Sequence, residues 1–450
     1  MDDRRRPEKT APLPGSAASP PNPEMDPLPG TLHVEVTTRC NLRCRMCVKH
    51  ADGGGIAEGD MAPAVFDAVL PILPAVERLL LNGIGEPLLH PDLDAFIRAA
   101  RARMPETASI GFQTNGILLT PERARSLVTA GADRFCFSVD AVSPALYRQV
   151  RAGGEIEGVA AAFAAIGAAR KAATRPISIG VEMVLRRDNL EALPDTVRWA
   201  AAHGADFFIA THMIAYDAAI QSQVAFAQDT DAAVAYFEDH RRKAAAGGID
   251  ISDYFSIRWK YSKSPEEARV VDFVDRMIAD AADAGIFFHL RRLLGRDPDL
   301  SAQVSRVFAD AERVATEVGV SLSLPAAAPR GEKRCEFMEN ASAFISWTGD
   351  VHPCFFLWHR YRCHVADWQK HVTPVSFGNL CERPFIDIWN APDYGDFRRA
   401  VRRYEYPLCS NCSLAPCDLV DSKQFEVDCY TNTIPCCDCQ WCLGVFQCLR

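Results

Sequence analysis

The chain has 450 residues, 48% hydrophobic and 24% charged, ordinary values for a soluble globular protein long enough to fold as more than one unit. Its net charge of −9 argues against a general nucleic-acid binder, whose domain normally carries a basic face. It has no uninterrupted apolar run of about 18 residues, so no membrane span is expected.

The opening stretch, MDDRRRPEKTAPLPGSAASPPNPEMDPLPG, holds an arginine cluster with no apolar stretch behind it, and eight prolines. It reads as a disordered leader (1–30) and not as a signal peptide, which points to a cytoplasmic protein. LHVEVTT then runs at strand length into TTRCNLRCRMCVKH, where Cys40, Cys44 and Cys47 fall close together. Further strand-length apolar runs follow: ERLLLNG, ASIGFQTNG, DRFCFSVD, ISIGVEMVL and ADFFIATHM. Between them lie amphipathic stretches such as LDAFIRAARARM, PERARSLVTAG and LPDTVRWAAAHG. Six such units over 31–215 predict a parallel α/β structure, an open sheet or a barrel, with helices outside and chemistry at the C-terminal ends of the strands. Residues 216–330 are rich in Ala, Asp and Arg with helical periodicity and read as a helical insertion or bridge, with GVSLSLP as a further strand. A cysteine-rich module fills 331–450.

Seventeen cysteines, an odd count without an export signal, fit metal-bound thiolates in a reducing compartment better than disulfides. Cys136, inside RFCFSV, reads as a buried strand residue. The clustered trio is different. Zinc in a closed structural site takes four ligands, whereas three thiolates on a cubane iron–sulfur cluster leave one iron open to a small molecule. A zinc or redox-thiol loop is the competing reading of this spacing.

The loop resembles the CxxxCxxC motif of the radical S-adenosylmethionine enzymes, and the strand ends that follow resemble that family in order. LNGIGEPLLHPDL is similar to its glycine-rich GGEP-type turn. The resemblance implies that Gly83, Gly85 and Glu86 present backbone groups to the methionine amino end of the cofactor, with Ile84 a departure between the glycines. FQTNG places Asn115 at the mouth of the third strand. By the same resemblance FSVD would place Ser138 and Asp140 near the ribose, where hydroxyl and carboxylate can bond to sugar hydroxyls. Met46 would touch adenine, and Glu182 in GVEMVL is a further polar contact. The resemblance spans roughly 32–215 and implies a partial (β/α)6 TIM-like barrel.

RCEFMENASAFISWTGDVHPC, FGNLCERPFIDIWN and CSNC resemble the SPASM extension, which carries auxiliary iron–sulfur clusters in radical enzymes that modify peptides or proteins. Two full cubanes would need about eight cysteines. Cys335, Cys354 and Cys363 with one downstream partner are expected to hold the first. Cys409 and Cys412, with partners among Cys417, Cys429, Cys439, Cys442 and Cys448, are expected to hold the second. Cys381, Cys436 and Cys437 are expected to be spectators. A zinc ribbon built from CSNC and CDCQWC fits the spacing as well. His352, His359, His364 and His371 are further possible ligands.

The family resemblance implies that an external donor such as flavodoxin or ferredoxin reduces the first cluster, that S-adenosylmethionine is cleaved to a 5′-deoxyadenosyl radical, and that this radical takes a hydrogen from the substrate. LLLNGIGEPLLHP, PCFFLWHRY and DCYTNTIPCCDCQWCLGVFQC are similar to a metalloenzyme-maturase subgroup. The expected substrate is therefore a peptide or protein, a metalloenzyme included, reached through the open flank of a six-unit barrel. A modifier of ribosomal peptides or a sulfatase-activating type of enzyme is the alternative. A non-catalytic zinc-stabilised scaffold is the reading from another class.

Overall fold

The computed structural model describes residues 28–51, 55–366, 368–414 and 417–449, so most of the expected leader lies outside them. Its strands are β1 Thr31–Val34, β2 Arg43–Cys44, β3 Arg78–Leu80, β4 Ser109–Thr114, β5 Arg134–Ser138, β6 Arg151–Ala152 and β7 Ser178–Leu185. They continue with β8 Phe207–His212, β9 Ser321–Ser323, β10 Ser342–Ile345, β11 Val351–His352, β12 Tyr361–Val365 and β13 Trp368–Val372. Nine of them form one sheet, ordered β11-β10-β1-β3-β4-β5-β7-β8-β9. Every neighbouring pair is parallel except β10 with β11. The six sequence-predicted strands are all present, and the fold is a mixed α/β partial barrel.

Strands covered on both faces carry near-continuous apolar runs, and the two faces here have separate cores. Leu79, Ile110, Phe112, Phe135 and Phe208 pack outward under the helices. Leu80, Cys136, Phe207 and Ile209 pack inward with Leu449. The helices start and stop where local chemistry requires. Before Pro121–Ala130, the Thr120 hydroxyl accepts from the Arg123 N–H and Pro121 opens the first turn; Gly131 closes it at φ +113°.

The stretch expected as one helical bridge divides in two. Asp231–Ala246, Tyr254–Arg258, Pro265–Asp283 and Leu290–Leu294 share their own apolar core, which includes Phe237, Val274 and Leu293. The helix Pro298–Val318 instead buries Val304, Val307, Ala311 and Val314 in the main core, packs on Leu193–Ala202 and delivers β9 to the edge of β8. Its apolar face matches that of an outer barrel helix, so it extends the barrel.

The C-terminal module holds the barrel from both sides. Its β10 and β11 extend the sheet beyond β1. Its residues 444–449 return to the opposite side, where the His212 N–H donates to the Val445 carbonyl (3.3 Å) and the Gln447 N–H to Thr211 Oγ1 (2.9 Å). Leu449 ends on the inner face of the sheet, fully buried. The open flank expected of a six-unit barrel is therefore occupied by this segment, because its apolar residues Val445, Phe446 and Leu449 bury on the inner side.

Candidate active site

The cysteine loop is fastened at both ends. β2 pairs antiparallel with β6, Cys44 opposite Arg151, and the Arg45 N–H donates to the Val150 carbonyl at 3.1 Å. A turn closes as the Cys47 N–H meets the Cys44 carbonyl at 3.1 Å. The three thiols are partly buried and near enough for Cys40 to act on Cys44, and for both to act on Cys47, electrostatically. Burial raises all three above the ordinary thiol range, Cys47 to about 11, and at Cys44 and Cys47 the neighbouring thiols add to the rise. Held as thiolates they would repel; a cationic metal centre removes that penalty.

Arg151, which no sequence pattern marks, completes the loop. Its Nε lies 2.7 Å from Asp140 Oδ2 and its Nη1 3.9 Å from Cys44 Sγ. Burial lowers its basicity, but the Asp140 and Cys44 charges outweigh this and hold it firmly cationic. Asp140 is fully buried, and its second oxygen accepts the Val184 N–H at 2.8 Å. The carboxylate expected near a ribose is thus committed to Arg151 and β7.

The Gly83–Glu86 turn owes its glycines to close packing. A Cβ on Gly83 would lie 2.4 Å from Glu35 Cγ, and one on Gly85 only 2.3 Å from the Thr37 carbonyl oxygen. The Glu86 carboxylate is internal to the site. It accepts from Thr114 Oγ1 at 2.6 Å, the Asn115 N–H at 2.7 Å and the Leu88 N–H at 3.1 Å, tying the turn to the end of β4. Its N–H donates to the Arg39 carbonyl at 2.7 Å, and its own carbonyl accepts from Leu89 at 3.0 Å. Asn115 reaches the cysteine loop, with Nδ2 2.9 Å from Asn41 Oδ1 and 4.0 Å from Cys40 Sγ.

Ser138 Oγ accepts from Gln113 Nε2 at 3.2 Å. Across the β5–β7 ladder from it stands Glu182, whose carboxyl is pushed up to about 7 by burial, opposed by a bond from Gln113. Met46 is buried in an apolar cluster with Val150, Met213 and Val445. Two buried polar atoms at these strand ends, Asn82 Oδ1 and Glu182 Oε2, have no partner among the described residues. Three neighbouring thiols, a glycine turn and acceptors without donors fit a cubane bound to a ligand carrying amino and hydroxyl groups.

The downstream cysteines fall into two fields, grouped differently from the expectation. Cys335, Cys354, Cys436 and Cys439 line one small cavity, walled by apolar groups such as Phe337 and Met338. Cys436, expected as a spectator, is in this cavity; Cys363 is not one of its lining residues. Cys437, also expected as a spectator, accepts the Cys409 N–H on its carbonyl at 2.9 Å, and its thiol bonds that of Cys409. Cys412 closes the turn after Cys409, and Cys429 lies within the influence of Cys412 and Cys417. Cys363 is buried in the apolar cluster that also holds Cys409 and Cys437. Cys442 sits beside Cys439, Cys448 lies on the inner side of the barrel near Cys136, and Cys381 is exposed. Among the described residues no three His, Cys, Asp or Glu side chains converge as ligands of one ion; a cubane takes its thiolates on separate irons. His352 donates through Nδ1 to the Val375 carbonyl, and His359 bonds Glu35.

Residues 34–200 match the family model of the radical SAM superfamily, and residues 335–413 match that of SPASM, an iron–sulfur cluster-binding domain. The chain therefore carries a radical SAM domain and a SPASM module and is a radical SAM enzyme, with iron–sulfur clusters and S-adenosylmethionine as cofactors. It is similar to a Pyrococcus furiosus protein named as a tungsten-containing aldehyde ferredoxin oxidoreductase cofactor-modifying protein, at 29% identity over 427 residues, 93% of this chain and 96% of that one. It is 30% identical over 179 residues to GTP 3′,8-cyclase 3 of Mycobacterium bovis, covering 38% of this chain and 45% of that one. The crystal structure of Streptococcus suis SuiB bound to S-adenosylmethionine matches 86% of this chain and 71% of its own, at a TM-score of 0.49 and 13% identity. Among the described residues, no helix is long and apolar enough to cross a membrane.

Proposed function

We propose that this enzyme matures a metalloenzyme, acting on a polypeptide or on a group the polypeptide carries. The supporting observation is the likeness to a cofactor-modifying protein across both domains and 93% of the chain. In this reading Cys40, Cys44 and Cys47 hold the first cluster, and the Gly83–Glu86 turn, Asn115, Ser138 and Glu182 face S-adenosylmethionine. Cys335, Cys354, Cys436 and Cys439 hold one auxiliary cluster. Cys409, Cys412 and Cys437, with Cys417 or Cys429, hold another.

When bound, the cluster and S-adenosylmethionine supply one-electron cleavage of a carbon–sulfur bond and hydrogen abstraction from the substrate. The chain's own residues prepare the site. Arg151 offsets the negative charge that three thiolates bring to the loop. Glu182, with a pKa of about 7, holds or releases a proton on the inner face of the barrel near neutrality. Leu449, Leu80 and Ile209 exclude water below it. The electron comes from an external donor of the flavodoxin or ferredoxin kind.

The test is anaerobic incubation with S-adenosylmethionine, a reductant and the metalloenzymes or peptides encoded beside this chain. The proposal expects 5′-deoxyadenosine formation to rise with a metalloenzyme, together with a mass change on that protein or its cofactor. Modification of a small peptide alone would favour the ribosomal-peptide reading. Modification of a free metabolite alone would overturn both.

A further inference from the structure

Glu35 follows β1 and is fully buried. Its carboxylate accepts the Ile84 N–H at 3.1 Å, inside the glycine turn. It also accepts from His359 Nε2, 3.1 Å from Oε1 and 3.0 Å from Oε2. The same side chain fills the space a Cβ at Gly83 would need. The turn is thus moulded on Glu35, and a carboxylate out of water lies where its donors hold it. Its side-chain donor belongs to the C-terminal module: His359 follows Cys354 in FFLWHRY, and its ring packs 5.2 Å from that of Trp358. The backbone of Glu35 is held by the same module, its N–H donating to the Ile345 carbonyl at 2.9 Å.

We infer that His359 is a positioning residue for S-adenosylmethionine: through Glu35 it sets the Gly83–Gly85 turn, so that the auxiliary module governs the cofactor affinity of the barrel. The inference rests on the proposed placing of S-adenosylmethionine at that turn. A histidine that served only to glue two domains would bond to any surface group of the barrel. This one bonds to the carboxylate against which the turn is packed. Without it, Glu35 keeps one donor, from the turn itself, and loses its fixed position.

The experiment uses the full chain reconstituted anaerobically, with His359→Leu, His359→Gln and Gly85→Ala beside the unsubstituted enzyme. Iron content, KM for S-adenosylmethionine, kcat for 5′-deoxyadenosine formation and the change in the electron paramagnetic resonance spectrum on adding S-adenosylmethionine are measured. His359→Leu should keep its iron, raise KM about tenfold with kcat within about twofold, and weaken the spectral change. His359→Gln, whose amide N–H reaches the same point as Nε2, should return to within about twofold of the unsubstituted KM. A wild-type KM in His359→Leu beside a raised KM in Gly85→Ala would overturn the inference alone. An unchanged KM in Gly85→Ala would remove the placing of the cofactor at the turn, and the inference with it. Loss of iron in both His359 variants would mark a purely structural residue and overturn it as well.

Discussion

Arg151 lies 2.7 Å from Asp140 through Nε and 3.9 Å from the Cys44 sulfur through Nη1, so one guanidinium joins the end of β5 to the cysteine loop. Both charges of the ion pair are buried. Removing one partner of such a pair strands the other, which is why Arg151→Met should destabilise the metal-free protein by about 3–5 kcal/mol. It should also impair iron loading at the first site. Arg151→Lys should recover only part of this, since an ammonium cannot span both contacts. Denaturant unfolding and iron assay of both variants check the prediction.

The glycine turn offers a contrast within one molecule. Gly85→Ala drives a methyl against the Thr37 and Arg39 carbonyl oxygens, at 2.3 and 2.6 Å, and backbone cannot step aside as a flexible side chain would. A cost of about 1–3 kcal/mol is expected. Gly167, inside the helix Ile156–Ala172, has nothing within 4 Å of a Cβ. Gly167→Ala should stabilise by roughly 0.5–1 kcal/mol. Unfolding midpoints should move in opposite directions.

Glu182 predicts a pH dependence. The folded state holds a proton up to about pH 7, whereas the carboxyl's ordinary pKa is 4.5. Because the folded pKa is the higher, this contribution to stability is complete below pH 4.5 and is lost as pH rises through about 7. Glu182→Gln removes the titration. The stability of wild type minus variant should therefore fall by on the order of 3 kcal/mol from acid to mildly alkaline pH. Denaturant titrations of the metal-free proteins at several pH values would show it. A difference that stays flat would contradict the assigned environment.

The cysteine fields predict unequal effects along PCCDC. Cys436→Ser should lose about four irons, those of one cubane, because Cys436 lines the cavity with Cys335, Cys354 and Cys439. Cys381→Ser, at an exposed thiol, should keep its full iron content. Equal loss in both, by iron and sulfide assay, would undo the grouping.

Much of the barrel was legible because buried parallel strands leave dense apolar runs; DRFCFSVD and ISIGVEMVL became Arg134–Ser138 and Ser178–Leu185. Long-range pairing left no such trace. Nothing in SAFI says that Ser342 will sit beside Thr31, and nothing in QVRAGG says that Arg151 will return beside Cys44. GIGEP announced a turn, but not that the Glu86 carboxylate would be spent on Thr114 and Asn115. Cys436 and Cys437 eluded spacing arguments for a local reason. The two lie in a turn, closed by the Cys439 N–H on the Cys436 carbonyl at 3.1 Å, and the turn sends them into different fields.

The proposed chemistry depends on Cys40, Cys44 and Cys47 holding the cluster that cleaves S-adenosylmethionine, separately from the iron of the C-terminal module. The most direct measurement is 5′-deoxyadenosine formation by the anaerobically reconstituted Cys40→Ala, Cys44→Ala, Cys47→Ala triple variant, with iron counted on the same sample. No cleavage is expected, with about eight irons retained in two C-terminal cubanes. Cleavage at the wild-type rate by the triple variant would overturn the assignment of these three cysteines.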